Sequence, residues 1–210
     1  MKHMKHLKHV VGFVAFAALA LVTGAAFAQE APDALVKRVS QETLQTIKSD
    51  PLVQQGNQAR IRELIESKLL PHFDFERMTA LAVGRNWRSA TPEQQKRLTD
   101  EFRTLLVRTY SSALNQYRDQ QIDYKPLRMN PSDTDVVVRT AVMKPGGSPI
   151  QMDYSMEKTG SGWKCYDVVV AGVSLVTTYR DEFNTTIQSS GIDGLIKTLS
   201  DKNRGPAPAK

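Results

Sequence analysis

Hydrophobic residues recur at helical spacing in the first part of the chain and at alternate positions further on. The helical pattern predicts four helices, over residues 32–48, around residues 61–69, over residues 74–83 and from Thr91 onward. Pro71 would stop the second helix, and Gly84 would close the third. At the start of the fourth, Thr91 is a capping residue, Pro92 occupies the first turn and Gln94 completes a capping box.

The alternating pattern begins after Pro126 and predicts an antiparallel meander. Its strands span residues 135–143, 150–158 and 163–170, separated by Gly-rich turns, and residues 122–124 would add a further strand. On the middle strand the apolar side chains share one face and the polar ones share the other. We therefore expect the helices to cover the apolar face.

The third strand of this meander has an unusual composition. Val168, Val169 and Val170 make it apolar on both faces, whereas a half-buried strand should alternate. It is predicted to run through Ala171 and Gly172 directly into a helix capped by Ser174. The run requires apolar cover on two sides, which helices, a second sheet or a bound apolar ligand would each provide.

The ends of the chain predict a processed, exported protein of one domain. Residues 1–28 combine a basic stretch, an apolar run and an Ala-Phe-Ala site, which is typical of a signal peptide cleaved after Ala28. Residues 29–200 then form one domain, in which the Ser174 helix ends near Gly191 and a last helix spans residues 192–199. Residues 201–210 are predicted to be a disordered tail.

Charge gives little support to a nucleic-acid partner. The chain has 28 Lys and Arg against 22 Asp and Glu, and Lys2, Lys5 and Lys8 belong to the signal. The mature protein therefore has 25 against 22, a net charge of +3 that is spread along the chain.

Residues with catalytic or metal-binding chemistry are few. His72 is the single histidine of the mature chain and Cys165 the single cysteine, so a multi-histidine metal site and an internal disulfide are excluded. Cys165 is expected to be a small buried residue, and a Cys165–His72 nucleophilic pair has no third orienting group. Asp135, Asp153 and Asp167 are the remaining candidates for a general base, although a capping or hydrogen-bonding role is expected for each.

Bulky apolar side chains at inward positions are abundant. The candidate lining residues are Phe102, Leu106, Tyr110, Val138, Met152, Tyr154, Val168, Val170, Val173, Leu175 and Tyr179. Periodicity does not distinguish a solid core formed by these residues from the wall of a cavity.

Five ordered segments carry a resemblance to a known family. Residues 84–94, 102–110, 162–167, 172–176 and 191–195 resemble, in order and spacing, the MlaC family, also known as toluene-tolerance proteins. Similar sequences usually have an acidic residue before Gly172, where this chain has Ala171.

The resemblance implies an α+β fold in which several helices cover one face of an antiparallel or mixed sheet of about four strands, similar to the nuclear-transport-factor-like cone. It also implies a periplasmic, monomeric carrier whose only bound molecule is its phospholipid cargo, with neither catalytic nor metal site. Its expected partners are an inner-membrane ABC transporter with an MCE-domain subunit and an outer-membrane lipoprotein–porin complex, in a pathway that maintains outer-membrane lipid asymmetry.

The head group is expected at the cavity mouth, with Arg85, Arg88 and Arg180 as the nearest candidates to meet it. Two alternatives remain open from the residues themselves. One is a small-molecule isomerase or hydrolase in a similar cone, and the other is a periplasmic adaptor that binds only proteins and has a solid core.

Overall fold

The structure is a computed structural model that describes residues 29–114, 120–143 and 146–205. The predicted signal peptide, residues 1–28, and residues 206–210 of the predicted tail lie outside this description. Among the described helices, none combines the length and the apolar composition that a bilayer-spanning segment requires.

The helices of the first half follow the predicted pattern with two differences, an additional four-residue helix, Pro51–Gln54, and a division of the second predicted helix. They are α1 (Pro32–Ser49), α2 (Pro51–Gln54), α3 (Gln58–Leu64), α4 (Phe75–Val83) and α5 (Pro92–Leu114). The single helix predicted around residues 61–69 is instead α3 followed by a π-helical turn, Ile65–Leu69, and a 3₁₀ turn, Leu70–His72. The capping box of α5 is present, since Gln94 N donates to Thr91 Oγ1 and Thr91 N donates to Gln94 Oε1.

The sheet has five strands rather than about four. They are β1 (Gln121–Tyr124), β2 (Asp135–Met143), β3 (Ile150–Thr159), β4 (Gly162–Val170) and β5 (Val173–Ser174), in the order 1-2-3-4-5 with antiparallel pairing throughout. The extra strand arises because Ala171 (φ 50°) and Gly172 (φ 85°) form a two-residue turn. This turn folds Val173 back onto Val170, so β4 does not run directly into the next helix.

The last helix, α6 (Leu175–Arg204), is interrupted at Gly191, whose φ of 72° breaks the helical backbone at the predicted position. Residues 201–204 were expected in a disordered tail but are helical. Contacts with α5 explain the extension, because Asn203 Nδ2 donates to the carbonyl of Glu101 at 2.9 Å and Arg108 donates to the carbonyl of Gly205.

Buried apolar residues form three clusters instead of one continuous core. The α4–α6 cluster joins α4, α5 and α6 around Phe102 and Phe183. The sheet cluster joins the start of α1 to the apolar face of the sheet around Val138 and Met156. The α1–α3 cluster is centred on Ile61 and includes the end of α1 and the π-helical turn.

Candidate functional site

A cavity of about 560 Å³ lies where the three clusters meet. Its sheet side is lined by alternate residues of the strands, which confirms the predicted apolar face: Val142, Ile150, Met152, Tyr154, Met156, Val168 and Val170. The pleat explains this arrangement, because every second side chain of a strand points to the same face. The Val run of β4 thus meets a cavity on one of its faces.

The helical side of the wall comes mainly from α1, the π-helical turn and α5. Val36, Val39 and Ile47 of α1 line it together with Leu69 and Val107. Sequence reasoning did not include α1 or the π-helical turn among the candidates, although the apolar stripe of α1 at three- and four-residue spacing was visible. That stripe was a signal for burial, and nothing in it indicated what the helix faces.

Eight of the eleven candidate residues line the cavity: Leu106, Tyr110, Met152, Tyr154, Val168, Val170, Val173 and Leu175. The other three lie elsewhere. The ring of Phe102 packs edge-on against Tyr179 and Phe183, with both centroid distances 5.1 Å, so Phe102 and Tyr179 belong to the α4–α6 cluster. Val138 is 1% exposed and fills the sheet cluster.

The cavity has an exposed end at the β4–β5 turn. Val173 is 59% exposed and is the most exposed of the described lining residues. The start of β3 and the ends of β2 and β4 lie at this same end of the sheet, because the antiparallel register pairs Ile150 with Val142 and Met152 with Val170. We call this end the mouth.

The wall is almost entirely uncharged. Among the described residues that line the cavity, none is Asp, Glu, Lys or Arg. His72 is half-buried there, and burial lowers the pKa of its imidazole below the ordinary value, which favours the neutral form. The described part of the chain also contains no cluster of His, Cys, Asp or Glu that would hold a metal ion.

The three acids considered as general bases lie outside the cavity wall. Asp167 caps α6, because its carboxylate accepts from Ser174 Oγ at 2.6 Å and from Val176 N at 3.1 Å. Asp135 accepts from Arg77 and Tyr166, at 2.8 and 2.7 Å. Asp153 lies 3.8 Å from Arg139 on the neighbouring strand.

Cys165 is buried and lines the cavity, but its environment disfavours a thiolate. Burial raises the pKa of the thiol far above its ordinary value, and its Sγ donates to the carbonyl oxygen of Asp167 at 3.2 Å rather than to His72. A Cys165–His72 nucleophilic pair is therefore not formed.

The three arginines expected near the mouth do not line the cavity. Arg85 and Arg88 are exposed on a 3₁₀ segment, Gly84–Ser89. Arg180 Nε donates to the carbonyl of Leu81 at 3.1 Å, which joins α6 to α4.

The chain is similar in sequence to a known family and to individual members of it. A family model described as MlaC protein matches residues 37–201. The chain is 24% identical over 189 residues to the intermembrane phospholipid transport system binding protein MlaC of Haemophilus influenzae, covering 89% of this chain and 88% of the relative. It is 28% identical over 185 residues to the toluene tolerance protein ttg2D of Pseudomonas putida, covering 85% of each.

A solved structure is also similar. It is a phospholipid-binding protein from Ralstonia solanacearum in complex with a phospholipid, with 42% sequence identity and a TM-score of 0.76. The match covers 81% of this chain and 96% of the other.

Proposed function

The chain belongs to the MlaC family, and from this premise we propose that it is a phospholipid carrier that holds the acyl chains of its cargo in the cavity. The observation that carries this proposal is the wall itself: a volume of about 560 Å³ lined mainly by aliphatic and aromatic side chains, with no carboxylate, ammonium or guanidinium group among its described residues. Such a wall suits hydrocarbon and offers little to a polar substrate.

The magnitude of acyl-chain transfer supports an enclosed site. At about 0.8 kcal/mol per CH₂, two chains with about 15 CH₂ groups each correspond to roughly 24 kcal/mol when they are removed completely from water, and the part of each chain that the cavity encloses contributes in proportion. The cavity of a carrier must therefore solvate the acyl chains almost as favourably as a bilayer does. The head group would remain at the mouth in water, which requires no charged pocket.

Further support comes from the relatives. The Ralstonia solanacearum protein was solved with a phospholipid, and the Haemophilus influenzae relative is named as a binding protein of an intermembrane phospholipid transport system. By extension we propose that this chain is exported to the periplasm by residues 1–28. There it would shuttle lipid between an inner-membrane ABC transporter with an MCE-domain subunit and an outer-membrane lipoprotein–porin complex.

The enzyme alternative has less support. It requires an ionisable group that faces an enclosed polar cavity, whereas Asp135, Asp153 and Asp167 make structural hydrogen bonds or ion pairs outside the wall. The adaptor alternative requires a solid core, which does not agree with the cavity.

Organic extraction of the purified protein followed by mass spectrometry tests the proposal. We expect about one phospholipid per chain, since the cavity volume is that of a single-ligand site. The protein should be stripped of lipid and then incubated with phospholipid vesicles as a second arm. A protein that carries no lipid in either arm would overturn the carrier function.

Transfer requires a separate measurement. Protein loaded with a fluorescent phospholipid should pass it to the purified MCE-domain subunit in a reconstituted bilayer. Retention of the lipid under these conditions would remove the shuttling proposal while leaving lipid binding intact.

A further inference from the structure

Among the described serine and threonine side chains of the cavity wall, one hydroxyl group has no hydrogen-bond partner within the chain. Among the described lining residues the serine and threonine side chains are Ser40, Thr43 and Ser111. Ser40 Oγ donates to the carbonyl of Val36 at 2.6 Å, and Ser111 Oγ donates to the carbonyl of Arg108 at 3.3 Å. Thr43 Oγ1 is buried and has no partner.

The position of Thr43 makes this hydroxyl unusual. Thr43 lies on the cavity side of α1, between Val39 and Ile47, and is 5% exposed. Valine has nearly the same shape and would fill the site without an unpaired hydroxyl. Because buried polar groups in native proteins are almost always hydrogen-bonded, this hydroxyl requires a partner, which a water molecule or a ligand in the cavity would supply.

Along the strand direction, α1 runs from the end of the sheet opposite the mouth toward the level of the mouth, on the β1 side of the sheet. The segment just before the helix lies at the opposite end of the sheet, where Gln29 Nε2 donates to the carbonyl of Thr159 at the end of β3. By Lys37 the helix has reached β1, since Lys37 Nζ lies 5.9 Å from the ring centroid of Tyr124. Thr43 lies about 9 Å further along the helix axis at 1.5 Å per residue.

The chemistry of a bound lipid then selects one partner. Below its phosphate, a diacyl phospholipid has hydrogen-bonding groups only at its two ester linkages, and their carbonyl oxygens accept but do not donate. These carbonyls lie where the acyl chains meet the glycerol, close to the mouth. Threonine in a helix populates two χ1 rotamers, so its hydroxyl can turn toward a ligand.

We propose that the Thr43 hydroxyl donates a hydrogen bond to an ester carbonyl of the bound lipid and thereby selects ester-linked over ether-linked lipids. This inference rests on the proposed carrier function and adds a specificity-determining residue to it. A neutral hydrogen bond of this kind changes affinity by roughly threefold to tenfold.

The test compares two phosphatidylethanolamines with the same chain lengths, one diacyl and one dialkyl. Lipid-stripped protein is incubated with vesicles that contain equal amounts of both, and the retained lipids are extracted and quantified by mass spectrometry. Wild type should retain the diacyl lipid in about threefold to tenfold excess. Thr43→Val should retain the two lipids equally, and Thr43→Ser should keep the preference because it keeps the hydroxyl.

A matched control lies one turn away. Thr46 is on the same helix but does not line the cavity, and its hydroxyl donates to the carbonyl of Glu42 at 3.0 Å. Thr46→Val should therefore keep the diacyl preference.

The outcomes separate this inference from the proposed function. Equal retention of both lipids by wild type, which requires no variant, overturns the inference alone. A preference that survives in Thr43→Val also overturns it. If wild type retains neither lipid, the carrier function and the inference fail together.

Discussion

Adjacent valines of β4 provide a matched test of the cavity. Val170 lines the cavity and pairs with Met152 and Val173, whereas Val169 belongs to the opposite face and pairs with Asp153. Val170→Glu places a carboxylate in the cavity wall, where the proposed acyl chains would contact it, and Val169→Glu places the same group outside. The two substitutions differ in the face that they alter and in little else.

The expected size of the effect follows from the cost of a charge in hydrocarbon. A charged residue at the centre of an apolar span costs about 2.5–3.5 kcal/mol, or about 100-fold in an equilibrium constant. Val170 is half-buried, so the carboxylate could turn partly toward water at the mouth. We therefore expect lipid affinity to fall at least about tenfold in Val170→Glu and less than about twofold in Val169→Glu.

The assay is the phospholipid content of each purified variant, measured by extraction and mass spectrometry. Circular dichroism and the urea midpoint serve as controls for folding. Val169→Glu places a second carboxylate opposite Asp153, a like-charge pair that lowers stability, so lipid content is compared only after these controls show that both variants are folded. Equal lipid content in the two folded variants would refute the assignment of the Val170 face to the lipid.

Three further predictions concern stability. Asp167→Ala should lower the free energy of unfolding by about 2–4 kcal/mol in urea titrations, because the Ser174 hydroxyl and the Val176 amide lose their acceptor; a loss below about 0.5 kcal/mol would contradict the capping role. Ala171→Asn should raise it by about 1 kcal/mol, since asparagine tolerates the φ of 50° better than alanine, and a thermal midpoint that does not rise would argue against a strained turn. Burial lowers the pKa of His72 from 6.5, so the unfolded chain binds more protons as the pH falls through 6.5, and stability should decline there. His72→Gln should flatten that decline in urea midpoints measured at pH 7.5 and 5.5, and an unchanged slope would exclude His72 as its source.

Local signals predicted most of the fold. The capping box at Thr91, the period-two pattern of β3 and the break at Gly191 each depend on a few neighbouring residues, and all three are present. The β4–β5 turn was not predicted, because alanine is a poor residue for positive φ and gave no turn signal. The helical residues 201–204 depend on the contact of Asn203 with Glu101, which is distant in sequence.

The sequence predicted which residues share the apolar face of the sheet, but not which of them line a cavity. Period two identified Met152, Tyr154 and Val170 as residues of the apolar face, and all three line the cavity. Phe102 and Tyr179 have equally good inward positions, but their rings pack on each other and on Phe183. Which inward residues meet open space depends on how three clusters join, and that is a property of tertiary packing rather than of any one segment.

The size of the cavity suggests that the stability of such a carrier would depend on its bound lipid. An empty cavity in a buried apolar core lowers the free energy of unfolding by about 24 cal/mol per Å³ of its volume. For about 560 Å³ this amounts to roughly 13 kcal/mol, which equals the whole stability of a typical domain. The wall must therefore contact acyl chains, admit water or close. Because only the first choice satisfies the apolar side chains without a rearrangement, cargo in this cavity would act as part of the core, and its release would require a partner that compensates for the lost contacts.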